Sequence, residues 1–308
     1  MYCYHAFSLT IHSELELPEL TPALNTNQST APIQPEVLIQ WGAVSLTGLE
    51  QPLAKGVTYE ADEQSLWLHV PHIARYLVSH GSTITIDPII TNDESSIRLF
   101  LLGSCLGALL MQRRLFLLHA NAIKIGAHCV AFAGVSGAGK STLSAAFLQQ
   151  GYAILADDVC AINQQCEVIP GFPQIKLWAD ASQKLSINTQ SLRKVRPDLE
   201  KYAVPLGPQF HSEALPLRVI YLLQSHNKET IEFVDLSAHQ KFTPLKNNTY
   251  RMQYLKGLDK GKIHIKQCGA IASKTQVVRL TRPNHGFMLN ELIDAIQSDL
   301  LTRGLTRA

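Results

Sequence analysis

No two of the six cysteines (Cys3, Cys105, Cys129, Cys160, Cys166 and Cys268) form a C-x-x-C pair, and no histidine follows one at zinc-ligand spacing. That excludes the common structural-zinc and dithiol-redox motifs. Cys105, Cys129 and Cys160 lie in apolar runs, where a reduced cysteine behaves as a small core residue, so a reducing cytoplasm is the expected setting. Charge is scarce as well: Asp, Glu, Lys and Arg make up 17% of the chain, and the net charge is only +2. Nothing global therefore argues for nucleic acid or an anionic membrane as partner. The most apolar window, Leu99 to Met111, is too short to span a bilayer and ends in Arg113-Arg114, so a buried helix is expected. The N-terminus has no basic segment followed by an apolar core, and no signal peptide is expected. Repeats and low-complexity tracts are absent too. What remains is a globular composition, 46% hydrophobic over 308 residues, enough for two domains or one large one.

Residues 1 to about 90 read as a small β-rich domain. Alternating or β-branched runs recur at Ala6–Ile11, Val37–Trp41, Ser65–Val70, Ala74–Val78 and Thr83–Ile86, separated by Gly, Pro, Asn and Asp clusters. Thr21 to Gln34 reads as an exposed loop. A helix is expected from Thr91, which stands in capping-box spacing with Glu94, through Ile97, Phe100, Leu101, Cys105, Leu106, Leu109 and Leu110. The domain boundary is placed just before it, which makes residues 91–308 the second domain.

Gly134-Val135-Ser136-Gly137-Ala138-Gly139-Lys140-Ser141 fits G-x-x-x-x-G-K-[ST] at every fixed position. The apolar run Val130–Ala133 precedes it and a helix-forming run, Thr142 to Gln150, follows, which is the strand–loop–helix setting of a phosphate loop. The glycines let successive N–H groups turn inward on a polyphosphate, and the helix N-terminus adds partial positive charge. Gly134, Ser136, Gly137, Ala138, Gly139, Lys140, Ser141 and Thr142 are the candidate nucleotide-binding residues, and a nucleoside triphosphate is the expected ligand.

The helix leaving the loop runs about 15 Å at 1.5 Å per residue. Gly151 is placed to cap it, and a strand over Tyr152–Ala156 returns about 17 Å. The two lengths nearly cancel, so Asp157 and Asp158 should arrive beside the phosphate loop. One carboxylate there can hold Mg²⁺, and the other can take a proton from a nucleophile. Beyond them, strands are expected near Val159–Ile162 and Glu167–Ile169, and Pro170-Gly171-Phe172-Pro173 makes a rigid corner before Ile175-Lys176-Leu177-Trp178. Residues 179–218 read as mixed helix and loop. Strands at Val219–Leu223 and Glu232–Val234 are expected to complete the sheet, and Leu289–Leu301 reads as an amphipathic helix.

Three pieces in order, Leu118-His119-Ala120, the phosphate loop, and Gly151-Tyr152-Ala153-Ile154-Leu155-Ala156-Asp157-Asp158, resemble the catalytic domain of HPr kinase/phosphorylase. No LSGGQ-type or N-K-x-D signature points to other phosphate-loop families. The rest of the chain, through Val159-Cys160 and Pro170-Gly171-Phe172-Pro173…Lys176-Leu177-Trp178, is similar to a divergent branch, the HPr-kinase-related proteins of ribosomal-peptide and lasso-peptide biosynthesis. The resemblance implies an α/β fold with a phosphate-loop kinase core similar to HPr kinase and ATP-dependent phosphoenolpyruvate carboxykinase, preceded by the β-rich domain. By position it implies Asp157 as general base with His119 nearby, Asp158 and Ser141 as Mg²⁺ ligands, and Lys140 on the β- and γ-phosphates. It further implies ATP, a peptide or protein acceptor bearing serine, and a homo-oligomer. Lys176, Lys201 and Arg251 are candidates for acceptor or phosphate contacts. Two departures bear on HPr itself as acceptor and on the reverse reaction: Thr142 stands where HPr kinases carry Glu, and their second glycine-rich signature is missing. A kinase for free serine or a sugar, and a non-transferring ATP-dependent switch, remain alternatives from the same residues.

Overall fold

The computed structural model describes residues 1–23, 35–90, 92–285 and 288–307. Its contacts divide the chain into two units. The first unit, Met1–Phe116 with Val195–Leu199 and Arg251–Ile265, grows out of the short alternating runs. Its strands are β1 (Tyr2–Ala6), β2 (Leu9–Ser13), β3 (Thr21–Pro22), β4 (Val37–Trp41), β5 (Ala54–Lys55), β6 (Tyr59–Ala61), β7 (Ser65–Val70), β8 (Ala74–Ser79) and β9 (Thr83–Pro88). They form one sheet in the order β3-β1-β2-β4-β9-β8-β7-β6-β5. Every second residue of β8 (Ala74, Tyr76, Val78) is fully buried, as are Ile84 and Ile86 of β9, the period that strand geometry imposes. Most of the loop expected over Thr21–Gln34 lies outside the described residues.

The apolar helix packs on this sheet. It runs unbroken over the 19 residues Glu94–Gln112, with a π-helical turn at Leu101–Cys105. It is long and apolar enough to cross a bilayer, and 72% of its most apolar stretch is buried within the protein. Thr91, the expected cap, lies outside the described residues; Asp93 caps the helix, its side chain accepting from Ser96 N–H. Tyr76 Oη donates to Ile97 O at 3.0 Å, and the Gln112 side chain bonds Gly81 N, Gln64 O and Val78 O. Arg98 pairs with Glu19 at 3.1 Å, both nearly buried. The helix covers β8 with its apolar face, so the first unit extends to Phe116 rather than ending at residue 90.

The second unit comprises Leu117–Lys194, Glu200–Tyr250 and Lys266–Ala308. Its main sheet contains β10 (Phe116–Leu118), β11 (Ala120–Ile125), β12 (His128–Ala133), β13 (Ile154–Ala156), β14 (Cys160–Ile162) and β15 (Glu167–Ile169). A separate hairpin pairs β16 (Gln174–Trp178) with β17 (Lys201–Pro205). The long β18 (Leu215–His226), β19 (Glu232–Asp235) and β20 (Gln276–Pro283) complete the main sheet. Its order is β10-β14-β15-β18-β12-β11-β13, with β20 beside β18 and β19 outside β20. The centre is parallel, β12 to β18 and β18 to β20, and Cys129–Ala133 of β12 and Val219–Leu223 of β18 are continuous buried apolar runs, as expected where both faces are covered. The strand at Glu232–Asp235 therefore does not neighbour β18. Val277, Val278 and Leu280 of β20 are buried between them, a strand the sequence reading passed over.

The core of this unit surrounds Phe132, whose ring lies 5.6 Å from that of Phe147 and 5.8 Å from that of Tyr221. Helix Leu289–Thr302 closes one side by burying Leu292, Ile293, Ile296 and Leu300, one stripe at helical spacing. No disulfide joins the six cysteines, and five of them are buried.

Candidate functional site

Strand β12 delivers Gly134 to the C-terminal end of the sheet, and the chain arches into the open before helix Lys140–Gln149 begins. Val135, Ser136 and Gly137 are exposed, Ala138 and Gly139 half-buried. Gly139 is the N-cap of the helix with φ 96°, a conformation that resists a Cβ and aims the first helical N–H groups at the arch. Lys140 is buried and folds back over the loop, Nζ donating to Gly134 O at 2.8 Å and Val135 O at 3.2 Å. Burial holds its ammonium below the ordinary value, against the pull of Asp158 and Asp157.

At the far end of the helix Gly151 N donates to Leu148 O and Tyr152 N to Phe147 O, a Schellman stop that turns the chain back. Strand β13 then pairs antiparallel with β11, which is antiparallel to β12, so β13 runs parallel to the loop strand one place removed. The return brings Asp157 to the loop: Ser141 Oγ donates to Asp157 Oδ1 at 3.1 Å. Asn121 Nδ2 donates to the same oxygen at 2.8 Å, and Lys176 N–H donates to Oδ2 at 2.9 Å. Burial raises the Asp157 carboxyl above its ordinary value, with Lys176 pulling the other way.

Asp158 faces a different set of groups. With φ 72°, its backbone turns left-handed and its N–H donates to Asn121 Oδ1 at 3.2 Å. Its carboxylate lies 3.3 Å from His119 Nδ1 and 3.6 Å from Lys176 Nζ, with 32% of the side chain exposed. Burial acts to raise this carboxyl, and Lys176, His119, Lys201 and Lys140 together outweigh it, so it stays ionised below the usual carboxylate range. The ring of His119 stacks on Tyr250 at 5.8 Å, and burial keeps the imidazole below its ordinary value. Lys176 is held above its ordinary value by Asp158 and Asp157 in spite of burial. Lys201, opposite Trp178 in the β16–β17 hairpin, places Nζ 5.4 Å from the centre of that ring.

The structure thus brings together the loop, Lys140, Ser141, both aspartates, His119 and Lys176. Ser141 bonds Asp157, and His119 lies beside Asp158. Arg251 belongs to the first unit. Asn121, fully buried, was missed; the signal for it was one amide inside the apolar strand Ala120–Ile125, two positions after His119. Among the described residues no three His, Cys, Asp or Glu side chains form a metal cage.

No protein-family model matches the chain, and no curated protein does. Among solved structures it is similar to that of the Hpr(Ser) kinase/phosphatase from Coxiella burnetii, at 13% identity and a TM-score of 0.30, over 61% of this chain and 92% of that one.

Proposed function

We propose that the protein is an ATP-dependent kinase that transfers the γ-phosphoryl group to a serine hydroxyl of a peptide or protein, such as a ribosomally made precursor. The observation that carries this reading is the 3.1 Å contact of Ser141 with Asp157, with a second, more open carboxylate at the next residue. The exposed loop offers N–H groups to the phosphates, and Lys140 is positioned to exchange its two carbonyl contacts for phosphate oxygens. Ser141 and Asp157 present a hydroxyl and a carboxylate oxygen, a hard-oxygen pair suited to Mg²⁺, which takes one or two protein ligands beside phosphate and water. Those two residues would hold the ion, and bound there it would neutralise charge on the β- and γ-phosphates.

Asp158 is the better placed proton acceptor. The Asp157 carboxylate is buried and accepts from Asn121, Ser141 and Lys176 N–H, while Asp158, whose oxygens face His119 Nδ1 and Lys176 Nζ, is ionised and partly open to solvent. As the serine oxygen bonds to the γ-phosphorus and the bond to the ADP oxygen breaks, the hydroxyl proton passes to Asp158. Neutral His119 and the Lys176 ammonium orient that carboxylate. The metal-ligand and base roles are thereby exchanged relative to those implied by the resemblance.

The test is incubation with γ-labelled ATP, Mg²⁺, serine-containing peptides and a set of small alcohols including free serine. Label on a peptide serine is expected. Label on a small alcohol alone would make the protein a metabolite kinase, and label released only as inorganic phosphate would overturn the transfer reading.

A further inference from the structure

Hairpin β16–β17 stands apart from the main sheet and has two unlike faces. Ile175 and Leu177 are fully buried in the core around Phe132, and Val204 packs against it. Residues two apart on a strand share a face, as do residues directly opposite in an antiparallel pair. Lys176 and Trp178 therefore stand on the other face, joined by Lys201, which is paired with Trp178. Lys176 Nζ lies 3.6 Å from Asp158, so this face is the one turned to the proposed base. The Trp178 side chain is left 50% exposed on it, and Lys201 Nζ lies 5.4 Å from the ring centre, within cation–π reach.

We propose that Trp178 and Lys201 seat the acceptor, with the indole ring against the chain beside the accepting serine and the Lys201 ammonium on a carboxylate within two residues of it. The proposal rests on the transfer reading above. The two lysines of this face differ in what holds them. Lys176 engages both aspartates, through its N–H and its Nζ. Among the described residues no carboxylate pairs with Lys201, and the adjacent Glu200 is taken by Lys194 and Tyr202. An ammonium only donates and a carboxylate only accepts, so an acidic group on the acceptor is the matching partner. An exposed indole beside it supplies the flat apolar contact that anchors many interfaces.

Spacing supports the same assignment. Trp178 lies two strand positions beyond Lys176, about 7 Å, which is also the reach of an extended peptide over two residues. With the serine hydroxyl at Asp158, the next side chains of the acceptor fall on Trp178 and Lys201. The charge of Lys201 bears on both Asp158 and His119, as it does only close to the reacting end of the site. The carboxylate it meets belongs either to an Asp or Glu side chain or to the terminus of a peptide that ends at its serine.

Steady-state kinetics with ATP, Mg²⁺ and a matched peptide set tests this. The set holds a serine peptide with Asp beside the serine, its Asn and Lys counterparts, and a peptide ending in serine as free acid and as amide. The wild type should use the Asp peptide over the Asn peptide, or the free acid over the amide, with kcat/KM roughly tenfold higher, the scale of one charged hydrogen bond. Preference for Asp assigns the carboxylate to a side chain, and preference for the free acid assigns it to the chain terminus. Lys201→Glu should reverse the order and favour the Lys peptide, an outcome that a damaged fold does not produce. Trp178→Ala should raise KM for every peptide severalfold and leave ATP affinity, read by calorimetry, unchanged. No preference in the wild type, an unchanged peptide KM in Trp178→Ala, or a Lys201→Glu protein that loses ATP affinity without reversing the order overturns the acceptor seat while the transfer reading stands. Label on no peptide overturns the transfer reading and the seat with it.

Discussion

Asn121 holds both aspartates at once: its Nδ2 donates to Asp157 Oδ1 at 2.8 Å, and its Oδ1 accepts from Asp158 N–H at 3.2 Å. A single fully buried amide thus fixes the carboxylate at the loop serine and the left-handed turn that sends the next carboxylate elsewhere. Asn121→Ala would leave a buried carboxylate oxygen short of a donor and a backbone N–H without its acceptor. We expect a loss of about 1–3 kcal/mol of stability, measured by urea unfolding, together with loss of transfer. Asn121→Asp should be inactive too, because it sets a third carboxylate against Asp157. An Ala variant that transferred phosphate at the wild-type rate would show that the aspartates do not depend on this amide.

The roles proposed for the two aspartates separate in binding experiments. Asp158→Asn should lower kcat by about 10²–10⁴-fold, the usual contribution of a general base, with the affinity for ATP in Mg²⁺ kept. Asp157→Asn should lower transfer and also remove the gain in ATP affinity that Mg²⁺ brings. If the Asp157→Asn protein kept that gain and the Asp158→Asn protein lost it, the metal ligand would be Asp158.

Lys140 contributes through charge. Its two carbonyl contacts keep the ammonium over the loop, and Lys140→Ala removes a charged donor worth about 1.5–3 kcal/mol. ATP binding measured by calorimetry should weaken by roughly 10- to 100-fold. Unchanged affinity would mean that the triphosphate lies elsewhere.

The loop and its aspartates could be read in the sequence because the argument needed only local rules: a helix of known rise, a glycine stop and a short strand back. Ser141 and Asp157 do meet. Which aspartate faces the loop was not legible, because it depends on the positive φ of Asp158 and on Asn121 from another strand. Strand β20 was hidden for a related reason. Gln276–Pro283 carries Arg279 and Arg282 among its apolar residues, and its place beside β18 is set by long-range pairing. Helix Ala238–Asn247 was masked by Pro244 in its interior, although Ser237 and Gln240 form a capping box at its start. The extent of the first unit followed from packing as well. The sequence placed a break at residue 90, but the helix after it has its apolar face on β8.

In that unit the Arg98–Glu19 pair makes a distinct prediction. Their side chains are 11% and 7% exposed and their atoms meet at 3.1 Å. Removing Arg98 takes an ion-pair partner from the buried Glu19 carboxylate, so Arg98→Met should destabilise the protein by about 3–5 kcal/mol in urea unfolding. Removing both charges with Glu19→Leu in the same chain should recover most of that loss. A double variant as unstable as the single would mean that Arg98 acts through packing, not through the ion pair.

The histidine beside Asp158 sets the acid limit of the site. Burial holds His119 below its ordinary value near 6.5, and Lys140, Lys201 and Lys176 add to this while Asp158 opposes it. As the pH falls below about 6.5, the unfolded chain takes up a proton that the folded chain resists, so stability declines until the folded value is reached. Asp158 works in a lower window. Its depressed carboxyl contributes stability that is fully present above the unfolded value near 3.9 and is lost as the pH falls through the folded value. His119→Gln should therefore flatten the stability curve just below about pH 6.5 and leave the more acidic limb in place. The rate should follow the same division. An imidazolium 3.3 Å from Asp158 Oδ1 competes with the acceptor hydroxyl for that carboxylate, so kcat should fall in the wild type only as the pH drops through the lowered folded value of His119, at the acid end of the upper window, and stay level in the Gln variant. Wild-type and variant kcat profiles that coincide across this window would remove His119 from any part in the transfer.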